Sequence, residues 1–530
     1  MNKKLLKLTD KKVTVFLLVI ICVLQLGLSL FWAGEKQYLA PDELFSYVSA
    51  NNPDYIGTVP KDVWLDEEWY VDYVSAQQDN TFTYSIPYHN QDKDVHPPLF
   101  YLFLHTACSL IPGEFSFLAG VAFNIVFFLA CTVVLYFLAK EVFQSRGCGL
   151  LAACLFAVSY AGLNTVVFVR MYMLMTLIVL FHALVYMKYM NREKTPRQGY
   201  LFLGLTLIAG MLTQYYFVMI AFFFALWHGV KFLYEKQYKK VGCFVATFAV
   251  SAGICIGLYP TMLYHIFGTS RGVEARENLN AAGGYFEKIK TMWGLLDSQL
   301  FTNLFIVILL GIMVLLLISA VGKKQLSKEP FGKIGVILFA CLGYFLLVTK
   351  IAPYQIDRYL MPIYPLIYLV VIGAVYGLLK KWIPVKVAAV LCILGFGGLS
   401  AIHMVHSSIP YTYAKDTAVS PRLDMAETYS DFYAIYVGEE EDMYDYFHVV
   451  QVLKEHKGFY NISNLKKVEE IRKNMECLEG EDQILLYVNH DMDFGEVIFS
   501  MNEVFPEAGF TGESLLYTDE EWNVYLIERR

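Results

Sequence analysis

The sequence predicts an α-helical protein that crosses a membrane many times and carries a small α/β domain at its C-terminal end. Of its 530 residues, 56% are hydrophobic and 17% are charged, with a mean hydropathy of +0.44, a composition typical of membrane proteins. Charge is unevenly divided, because residues 408–530 carry a formal −16 and residues 1–407 carry +9. We therefore expect a membrane domain over 1–407 and a soluble domain over 408–530. The basic excess beside lipid suits phosphate headgroups rather than nucleic acid.

Eleven apolar segments have roughly the 20 residues that a transmembrane helix needs. They are residues 13–33, 115–139, 148–168, 171–190, 199–213, 216–233, 241–264, 300–321, 332–350, 359–379 and 384–406. The first has a basic flank and no small-residue cleavage site after it, which favours a retained helix over a signal peptide. A twelfth segment, 99–111, is too short to cross an average bilayer.

The orientation follows from the basic residues between these segments. If residues 99–111 lie in the membrane interface, every turn on the N-terminal side of the membrane is basic, as the positive-inside rule requires of the cytoplasmic side. The sequence then predicts a multi-pass plasma-membrane protein with eleven spans, a cytoplasmic N-terminus and an extracytoplasmic C-terminal domain.

A long extracytoplasmic loop, residues 34–114, separates the first two spans in this topology. Pro41 can begin a helix there, because proline is favoured at the first helical position. Pro97 and Pro98 can begin a second helix in the same way, over 99–111. We expect both helices to lie along the membrane surface.

The C-terminal domain shows short strand-like and helix-like segments in alternation, which predicts an α/β fold. Strands are predicted over 432–437, 484–488, 514–517 and 524–527, and helices over 442–456, 465–478 and 494–504. The segment contains no Gly-rich phosphate loop. The ten cysteines of the chain have neither paired spacing nor a CxxC motif, so the sequence indicates no zinc site.

Asp42 and Glu43, which directly follow Pro41, are the leading catalytic candidates. An acid in the first helical turn commonly offsets the helix dipole, but Asp94 and His96 lie in the same loop. A carboxylate in a partly dry site can act as the general base that takes a proton from an acceptor hydroxyl. Asp42 could equally hold a divalent metal ion (Mg²⁺, Mn²⁺ or Zn²⁺), with Asp94 and His96 completing the ligands. The residues themselves favour neither role.

Arginine followed closely by tyrosine occurs twice at the outer ends of predicted spans, as Arg170 with Tyr172 and as Arg358 with Tyr359. Arginine beside lipid is costly unless it is paired, is functional or extends to the headgroups. Two arginines on one membrane face fit a site for a lipid phosphate, since the guanidinium fork matches phosphate oxygens. Lys350 is a further candidate for this phosphate site.

Four other polar residues are predicted on the same outer face. His96 precedes two prolines and is therefore expected to be extended, with an imidazole that can donate to a phosphate oxygen. Gln214 and Tyr215 lie between two spans, and His265 follows the seventh. They are candidates for a sugar or acceptor pocket, although an interfacial aromatic belt is the simpler reading of the tyrosine.

Taken in order, these motifs resemble those of the GT-C membrane glycosyltransferases, in particular the protein O-mannosyltransferase and aminoarabinose-transferase (ArnT-like) group. The shared features are Pro-Asp-Glu after the first span, His-Pro-Pro-Leu-Phe-Tyr at 96–101, Arg-Met-Tyr at 170–172 and Arg-Tyr-Leu-Met-Pro-Ile-Tyr-Pro at 358–365. The resemblance covers the first 407 residues.

The resemblance implies an inverting glycosyltransferase whose donor is a sugar on a polyprenyl-phosphate carrier. By match of motif, Asp42 is the catalytic base and Glu43 its neighbour, His96 lies at the donor phosphate, and Arg358 and Tyr359 contact the donor. The transferred group would be a hexosyl or pentosyl unit. Its acceptor would be an extracytoplasmic protein, lipid or glycan of the cell envelope.

Two functions of other classes are the alternatives. A transporter or flippase of a lipid-linked saccharide predicts ionisable groups at the membrane midplane and inverted repeats, whereas the charges here cluster at one face and no repeat is visible. A non-catalytic polysaccharide-assembly protein would instead place its function in the C-terminal domain.

Overall fold

The computed structural model describes residues 11–54, 59–281, 283–322, 329–416, 418–438, 443–475, 478, 481–504 and 512–528. It divides into two compact units. The first comprises Met1–Glu35, Gln91–Phe103 and Phe117–Ile409, and the second comprises Lys36–Asn90, Leu104–Ser116 and Pro410–Arg530. Most of the loop that the sequence predicts as part of the membrane domain is therefore grouped with the C-terminal residues.

The first unit is helical. Its α-helices are Lys11–Gly34, Phe117–Phe143, Arg146–Ala157, Tyr160–Val167, Tyr172–Val185, Arg197–Thr213, Phe217–Tyr234, Tyr238–Leu258, Met262–Phe267, Ser270–Asn280, Tyr285–Phe301, Phe305–Val321, Glu329–Ile351, Tyr364–Leu379, Val385–Cys392 and Gly398–Ser407. Short π-helical segments, Tyr186–Met190 and Ile393–Gly397, extend two of them, and 3₁₀ turns form at Asp357–Tyr359 and Met361–Ile363. The helix Leu99–Cys108 continues from the first unit into the second.

Eight helices in the described part of the chain are long and apolar enough to cross a membrane, or ten if each of two bent pairs counts as one span. The prediction of a multi-pass helical membrane protein is confirmed. The predicted span 199–213 forms the helix Arg197–Thr213, whose 17 residues reach about 25 Å at 1.5 Å per residue. It is not among the ten candidate spans.

The two bent pairs relate differently to the predicted spans. The first covers the predicted span 148–168, which is broken and not continuous. The second joins Phe305–Val321, which lies within the predicted span 300–321, to the preceding helix Tyr285–Phe301. One pair bends by 54° between Ala157 and Tyr160, and the other bends by 70° between Phe301 and Phe305. At the second break Thr302 and Asn303 both have positive φ, 54° and 63°, a left-handed conformation that stops a helix. A new helix then begins at Phe305. The Asp297 carboxylate accepts a hydrogen bond from the Phe305 amide at 3.0 Å, which satisfies a backbone donor at the start of that helix.

Burial within the first unit separates central helices from peripheral ones. The helical segments Tyr172–Met190 and Met361–Leu379 are the most buried candidate spans, at 78% and 72%, whereas only 22% of Lys11–Gly34 is buried. The peripheral helix keeps large apolar side chains on its outside, as lipid requires, and buries its polar ones. Its Gln25 side chain is fully buried and donates to the Phe128 carbonyl oxygen at 3.0 Å, which avoids an unsatisfied amide in hydrocarbon.

The second unit is built on one six-stranded mixed sheet. Its strands are β1 (Trp64–Leu65), β2 (Tyr433–Val437), β3 (Gly458–Ile462), β4 (Gln483–Asn489), β5 (Gly512–Thr518) and β6 (Trp522–Glu528), in the order β1-β3-β2-β4-β6-β5. Strands β3, β2 and β4 are parallel, and the outer strands pair antiparallel. Its helices are Pro41–Asn51, Glu67–Val74, Val419–Thr428, Met443–Leu453, Val468–Asn474 and Phe494–Val504, with a 3₁₀ turn at Pro410–Thr412. The helix Ser85–Lys93 begins in this unit, and its last three residues belong to the first.

The predicted α/β domain is confirmed, but the sequence missed two strands. β3 reads Gly-Phe-Tyr-Asn-Ile and every residue of it is buried, so it lacks the alternation of a half-exposed strand. β1 has only two residues and comes from the long loop, about 400 residues before its partner. Its Trp64 is paired with Tyr460, and the indole Nε1 donates to the Asn474 carbonyl oxygen at 2.7 Å.

Candidate functional site

A hydrogen-bonded acid and histidine begin the site in the first unit. Asp94 and His96 precede the helix Leu99–Cys108, and the Asp94 Oδ2 atom lies 2.8 Å from His96 Nδ1. The prolines at 97 and 98 hold the preceding residue out of the helical conformation, so the imidazole is presented at the start of the helix. The buried Gln91 amide, in the orientation that satisfies its neighbours, donates to Asp94 Oδ2 at 3.2 Å.

Arg170 joins this pair from a distant part of the chain. It lies between the helix Tyr160–Val167 and Tyr172, is 3% exposed, and places Nη2 3.2 Å from His96 Nε2 and Nη1 3.1 Å from the Tyr101 hydroxyl. A guanidinium has no lone pair to offer, so the Nε2 atom of His96 must accept. The proton of the neutral imidazole is then on Nδ1, where it is donated to Asp94.

The charges of this trio support one another. Burial is the largest influence on the Asp94 carboxyl and raises its pKa, but His96 and Arg170 together bring that pKa below its ordinary value. Burial would likewise lower the pKa of Arg170, and Tyr101, among other neighbours, raises it above its usual value. The site therefore contains a fixed carboxylate and a fixed guanidinium with the imidazole between them.

Tyrosines surround the guanidinium. Tyr172 and Tyr359 both interact electrostatically with Arg170, and the Tyr359 ring lies 5.4 Å from that of Tyr216. The Tyr344 hydroxyl donates to the Tyr359 carbonyl oxygen at 2.8 Å, which fixes the backbone beside it. The two predicted Arg-Tyr motifs thus place both tyrosines around Arg170.

The remaining predicted cations have other contacts. Arg358 lies over the ring of its neighbour Tyr359, 5.4 Å from the ring centroid. Lys350 donates to the Ala281 carbonyl oxygen and lies over the Tyr285 ring. These contacts place Lys350 against the segment that follows the helix Ser270–Asn280, so its assignment to the phosphate site stays a prediction.

The predicted sugar or acceptor residues are connected to the same cluster. The Tyr215 hydroxyl lies 2.9 Å from His265 Nδ1, and burial, followed by Asp94 and Asp92, raises the pKa of Tyr215. Burial lowers the pKa of His265, so the ring is neutral near pH 7. Asp92 accepts a hydrogen bond from the Thr261 hydroxyl at 2.6 Å.

Gln214 and a further polar group complete the description of the first unit. Gln214 is 6% exposed and ends the helix Arg197–Thr213 through its backbone. The Asn164 side-chain amide, which the sequence did not single out, donates to Asp357 Oδ2 at 3.1 Å and to Gln299 Oε1 at 3.3 Å. The only sign of Asn164 in the sequence is an asparagine within an apolar helical segment. Burying its amide without hydrogen-bond partners would be costly, so such a residue is expected to have partners.

Asp42 and Glu43 belong to the second unit, at the start of the helix Pro41–Asn51. Glu43 is fully buried, forms a 2.8 Å ion pair with the equally buried Lys36, and accepts from the Ala40 amide at 2.8 Å. Asp42 is partly exposed, and its backbone carbonyl accepts from Ser46 Oγ at 3.0 Å. Glu43 therefore caps the helix, and the Asp42 carboxylate is the more accessible of the two acids.

A divalent metal does not fit the ligands that the sequence offered as an alternative. In the described residues no group of three or more His, Cys, Asp or Glu side chains is arranged to hold a metal ion. Of the predicted ligands Asp42, Asp94 and His96, the histidine uses one nitrogen for a carboxylate and the other for the Arg170 guanidinium. A cation at that second nitrogen would compete directly with a buried positive charge.

Part of the chain is similar to a known protein family, and the whole chain is similar to solved structures. The family model described as dolichyl-phosphate-mannose-protein mannosyltransferase matches residues 95–255, which include His96, Arg170 and Tyr215. Curated protein sequences gave no significant match. Among solved structures, ArnT from Cupriavidus metallidurans bound to undecaprenyl phosphate has a TM-score of 0.51 at 10% identity, covering 96% of this chain and 97% of ArnT. The chain has the GT-C fold.

Two further solved structures are similar to the chain. ArnT in the apo state has a TM-score of 0.50 at 10% identity over 96% of this chain and 97% of its own. The oligosaccharyltransferase AglB from Archaeoglobus fulgidus, in complex with an inhibitory peptide and a dolichol-phosphate, has a TM-score of 0.47 at 11% identity, covering 97% of this chain and 76% of AglB. The resemblance inferred from the sequence motifs is confirmed at the level of the GT-C fold.

Proposed function

We propose that the protein is an integral-membrane glycosyltransferase that moves a sugar from a polyprenyl-phosphate carrier to an acceptor outside the cytoplasm. The observation that carries the proposal is the buried Arg170, held between His96 and Tyr101 and surrounded by tyrosines. A fixed guanidinium is suited to a phosphate group, because its N–H donors match phosphate oxygens and its charge is permanent. The ArnT structure of the same fold binds undecaprenyl phosphate.

The reaction would be a single displacement with inversion at the anomeric carbon. The acceptor hydroxyl oxygen bonds to that carbon while the bond from the carbon to the phosphate oxygen breaks. The hydroxyl proton passes to the Asp42 carboxylate, acting as general base. The electron pair of the broken bond leaves with the polyprenyl phosphate, whose negative charge Arg170 stabilises.

The other predicted residues have supporting roles in this proposal. His96 orients Arg170 and is itself oriented by Asp94, and Arg358 with Tyr359 contacts the donor. Tyr215 and His265 bind sugar or acceptor hydroxyls, since a neutral imidazole and a phenol can both donate and accept. Glu43 fixes the helix on which Asp42 lies.

The test is sugar transfer by purified protein in nanodiscs, with a panel of radiolabelled polyprenyl-phosphate sugars and an envelope extract as acceptor. We expect transfer by the wild type and by Asp72→Asn, an exposed acid of the same unit, and a loss of at least about 100-fold in Asp42→Asn. A parallel assay with EDTA measures metal dependence. Full transfer by Asp42→Asn would remove it as the base. Movement of labelled lipid across the bilayer of proteoliposomes, with no transfer in nanodiscs, would instead identify a flippase.

A further inference from the structure

The residues that lead into Asp42 are fixed by the C-terminal part of the chain. Within the second unit Lys36, Tyr38, Leu39 and Ala40 are buried, whereas the side chain of Gln37 is exposed. The Gln37 amide donates to the Thr412 carbonyl oxygen at 2.9 Å. The Tyr38 ring lies edge-on to Tyr413, with centroids 5.7 Å apart. This short segment therefore obtains its conformation from residues that follow it by nearly 400 positions.

Gln451 makes the most specific of these contacts. Its side-chain Oε1 accepts from the Leu39 amide at 3.0 Å, and its Nε2 donates to the Leu39 carbonyl oxygen at 3.0 Å. The same Nε2 donates to the Phe447 carbonyl oxygen at 2.9 Å, which holds the amide in one orientation on its own helix. Both partners are buried, Gln451 at 4% and Leu39 at 0% exposure. One amide thus satisfies both polar groups of a backbone position three residues before Asp42.

Lys36 and Glu43 bracket the segment from either end. The Lys36 ammonium contacts Glu43 and the Tyr411 carbonyl oxygen, and it is fully buried. Glu43 in turn accepts from the Ala40 amide and so fixes the first turn of the helix. The chain is held on the N-terminal side of Asp42 by Leu39 and on the C-terminal side by Glu43.

We propose that the C-terminal domain is a positioning element for Asp42 and that Gln451 is the positioning residue through which it acts. This inference rests on the proposed role of Asp42 as the base. A general base must lie within hydrogen-bond reach of the proton that it takes, and misplacement by about 1 Å costs on the order of 100-fold in rate. A two-sided amide contact restrains the backbone in a way that apolar packing alone does not.

The experiment compares Gln451→Met with Gln483→Met in the full-length protein. Methionine keeps the length of the side chain but removes both hydrogen bonds to Leu39. Gln483 lies in the same domain, with its amide on the surface beside Glu528, so it is a matched control. The measurements are kcat and KM for the polyprenyl-phosphate sugar, binding of undecaprenyl phosphate, and amide hydrogen exchange over residues 37–44.

We expect Gln451→Met to lower kcat at least about 10-fold, with KM and undecaprenyl-phosphate binding within about twofold of the wild type. Exchange should accelerate over 37–44, and Gln483→Met should match the wild type in every measurement. Wild-type kcat in Gln451→Met would overturn the inference, as would an equal loss of donor binding. If Gln451→Met does not fold, Gln451→Asn applies the same test, because its shorter side chain cannot meet both groups of Leu39.

A double variant separates positioning from general stability. If Gln451 acts through Asp42, adding Gln451→Met to Asp42→Asn should leave the residual rate unchanged, because the two effects are not additive. A further drop of the same factor would overturn the inference. Full activity in Asp42→Asn would reject the role of Asp42 as the base, and no transfer by the wild type would reject the proposed function itself. Loss in Asp42→Asn with full activity in Gln451→Met would reject only the positioning role.

Discussion

Arg170 is stable at the edge of a membrane domain because its neighbours replace the water that it has lost. Its Nη atoms reach Tyr101 and His96, and Asp94 compensates its charge through the imidazole. Each of these partners is oriented by a further contact, as Asp94 is by Gln91. Such a chain of fixed donors needs little reorganisation when a charged ligand arrives, which is how preorganised sites gain affinity.

Replacing Arg170 by lysine should weaken the donor site while keeping its charge. A lysine ammonium can approach Tyr101 or His96 but cannot reproduce the planar fork that joins both. We expect kcat/KM for the donor to fall at least about 10-fold, with a larger loss than in Tyr101→Phe, which removes one hydrogen bond. Binding of undecaprenyl phosphate to nanodisc protein would measure this directly. Equal behaviour of Arg170→Lys and the wild type would contradict the bridging role.

Asp94 predicts a pH dependence of stability. Because His96 and Arg170 hold its folded-state pKa below the ordinary value, its contribution is complete above about pH 4 and is lost as the pH falls through the folded-state pKa. Asp94→Asn should therefore lower Tm by a constant amount between about pH 5 and 8. The difference in Tm between the wild type and Asp94→Asn should become smaller only at more acidic pH. A gap that closes between pH 6 and 7 would contradict the assignment.

The charged residues of the site could be predicted from the sequence, but the hydrogen bonds that hold them could not. Charged residues at the ends of apolar segments are conspicuous, so Arg170, His96 and Asp42 could be selected from the sequence. The amide contacts could not, because Gln451 lies in a helix of the C-terminal domain and its partner is the backbone of Leu39. A hydrogen bond to the main chain leaves no pattern in the side chains of the partner.

Among the elements, the break around Thr302, at the start of the predicted span 300–321, has a geometry that the sequence pattern does not predict. Hydropathy averages over a window of residues and cannot register a left-handed turn of two residues. Neither Thr302 nor Asn303 is a glycine, although both have positive φ. A β-branched residue pays most for this conformation, because its side chain crowds the backbone.

Replacing Thr302 by glycine should stabilise the protein, since glycine adopts positive φ without steric cost. We expect Tm to rise by about 1 °C, corresponding to about 1 kcal/mol. Thr302→Val keeps the branched shape and should give no gain. Thermal unfolding in detergent, followed by tryptophan fluorescence, would measure both variants. A lower Tm in Thr302→Gly would show that the break does not store this strain.

The topology of the whole molecule depends on whether Arg197–Thr213 crosses the membrane, because an odd number of spans places the two chain ends on opposite sides of the bilayer. Ten candidate spans leave this 17-residue helix out. Basic residues cluster both before it, at Arg192 and Lys194, and after the following helix, at Lys239 and Lys240. If both clusters face the cytoplasm, two helices must cross between them, and the predicted eleven spans are restored.

Reporter fusions test this topology. With eleven spans and a cytoplasmic N-terminus, alkaline phosphatase fused to the C-terminus should be active, and the same enzyme fused after Lys236 should be inactive. A green fluorescent protein at the same positions should give the inverse pattern. If the C-terminal phosphatase fusion is inactive and the C-terminal green fluorescent protein fusion is fluorescent, the number of spans is even. That result would overturn the prediction that the C-terminal domain is extracytoplasmic.

Strand β1 has a consequence for how the protein is made. It is synthesised before nearly all of the membrane helices, yet its partner β3 emerges roughly 20–80 s later at 5–20 residues per second. Throughout that interval Trp64 and the segment before Asp42 lack the sheet and the glutamine that hold them. The loop cannot complete these contacts until the last quarter of the chain has been synthesised. Synthesis itself thus delays assembly of the proposed catalytic base until the ribosome has almost finished.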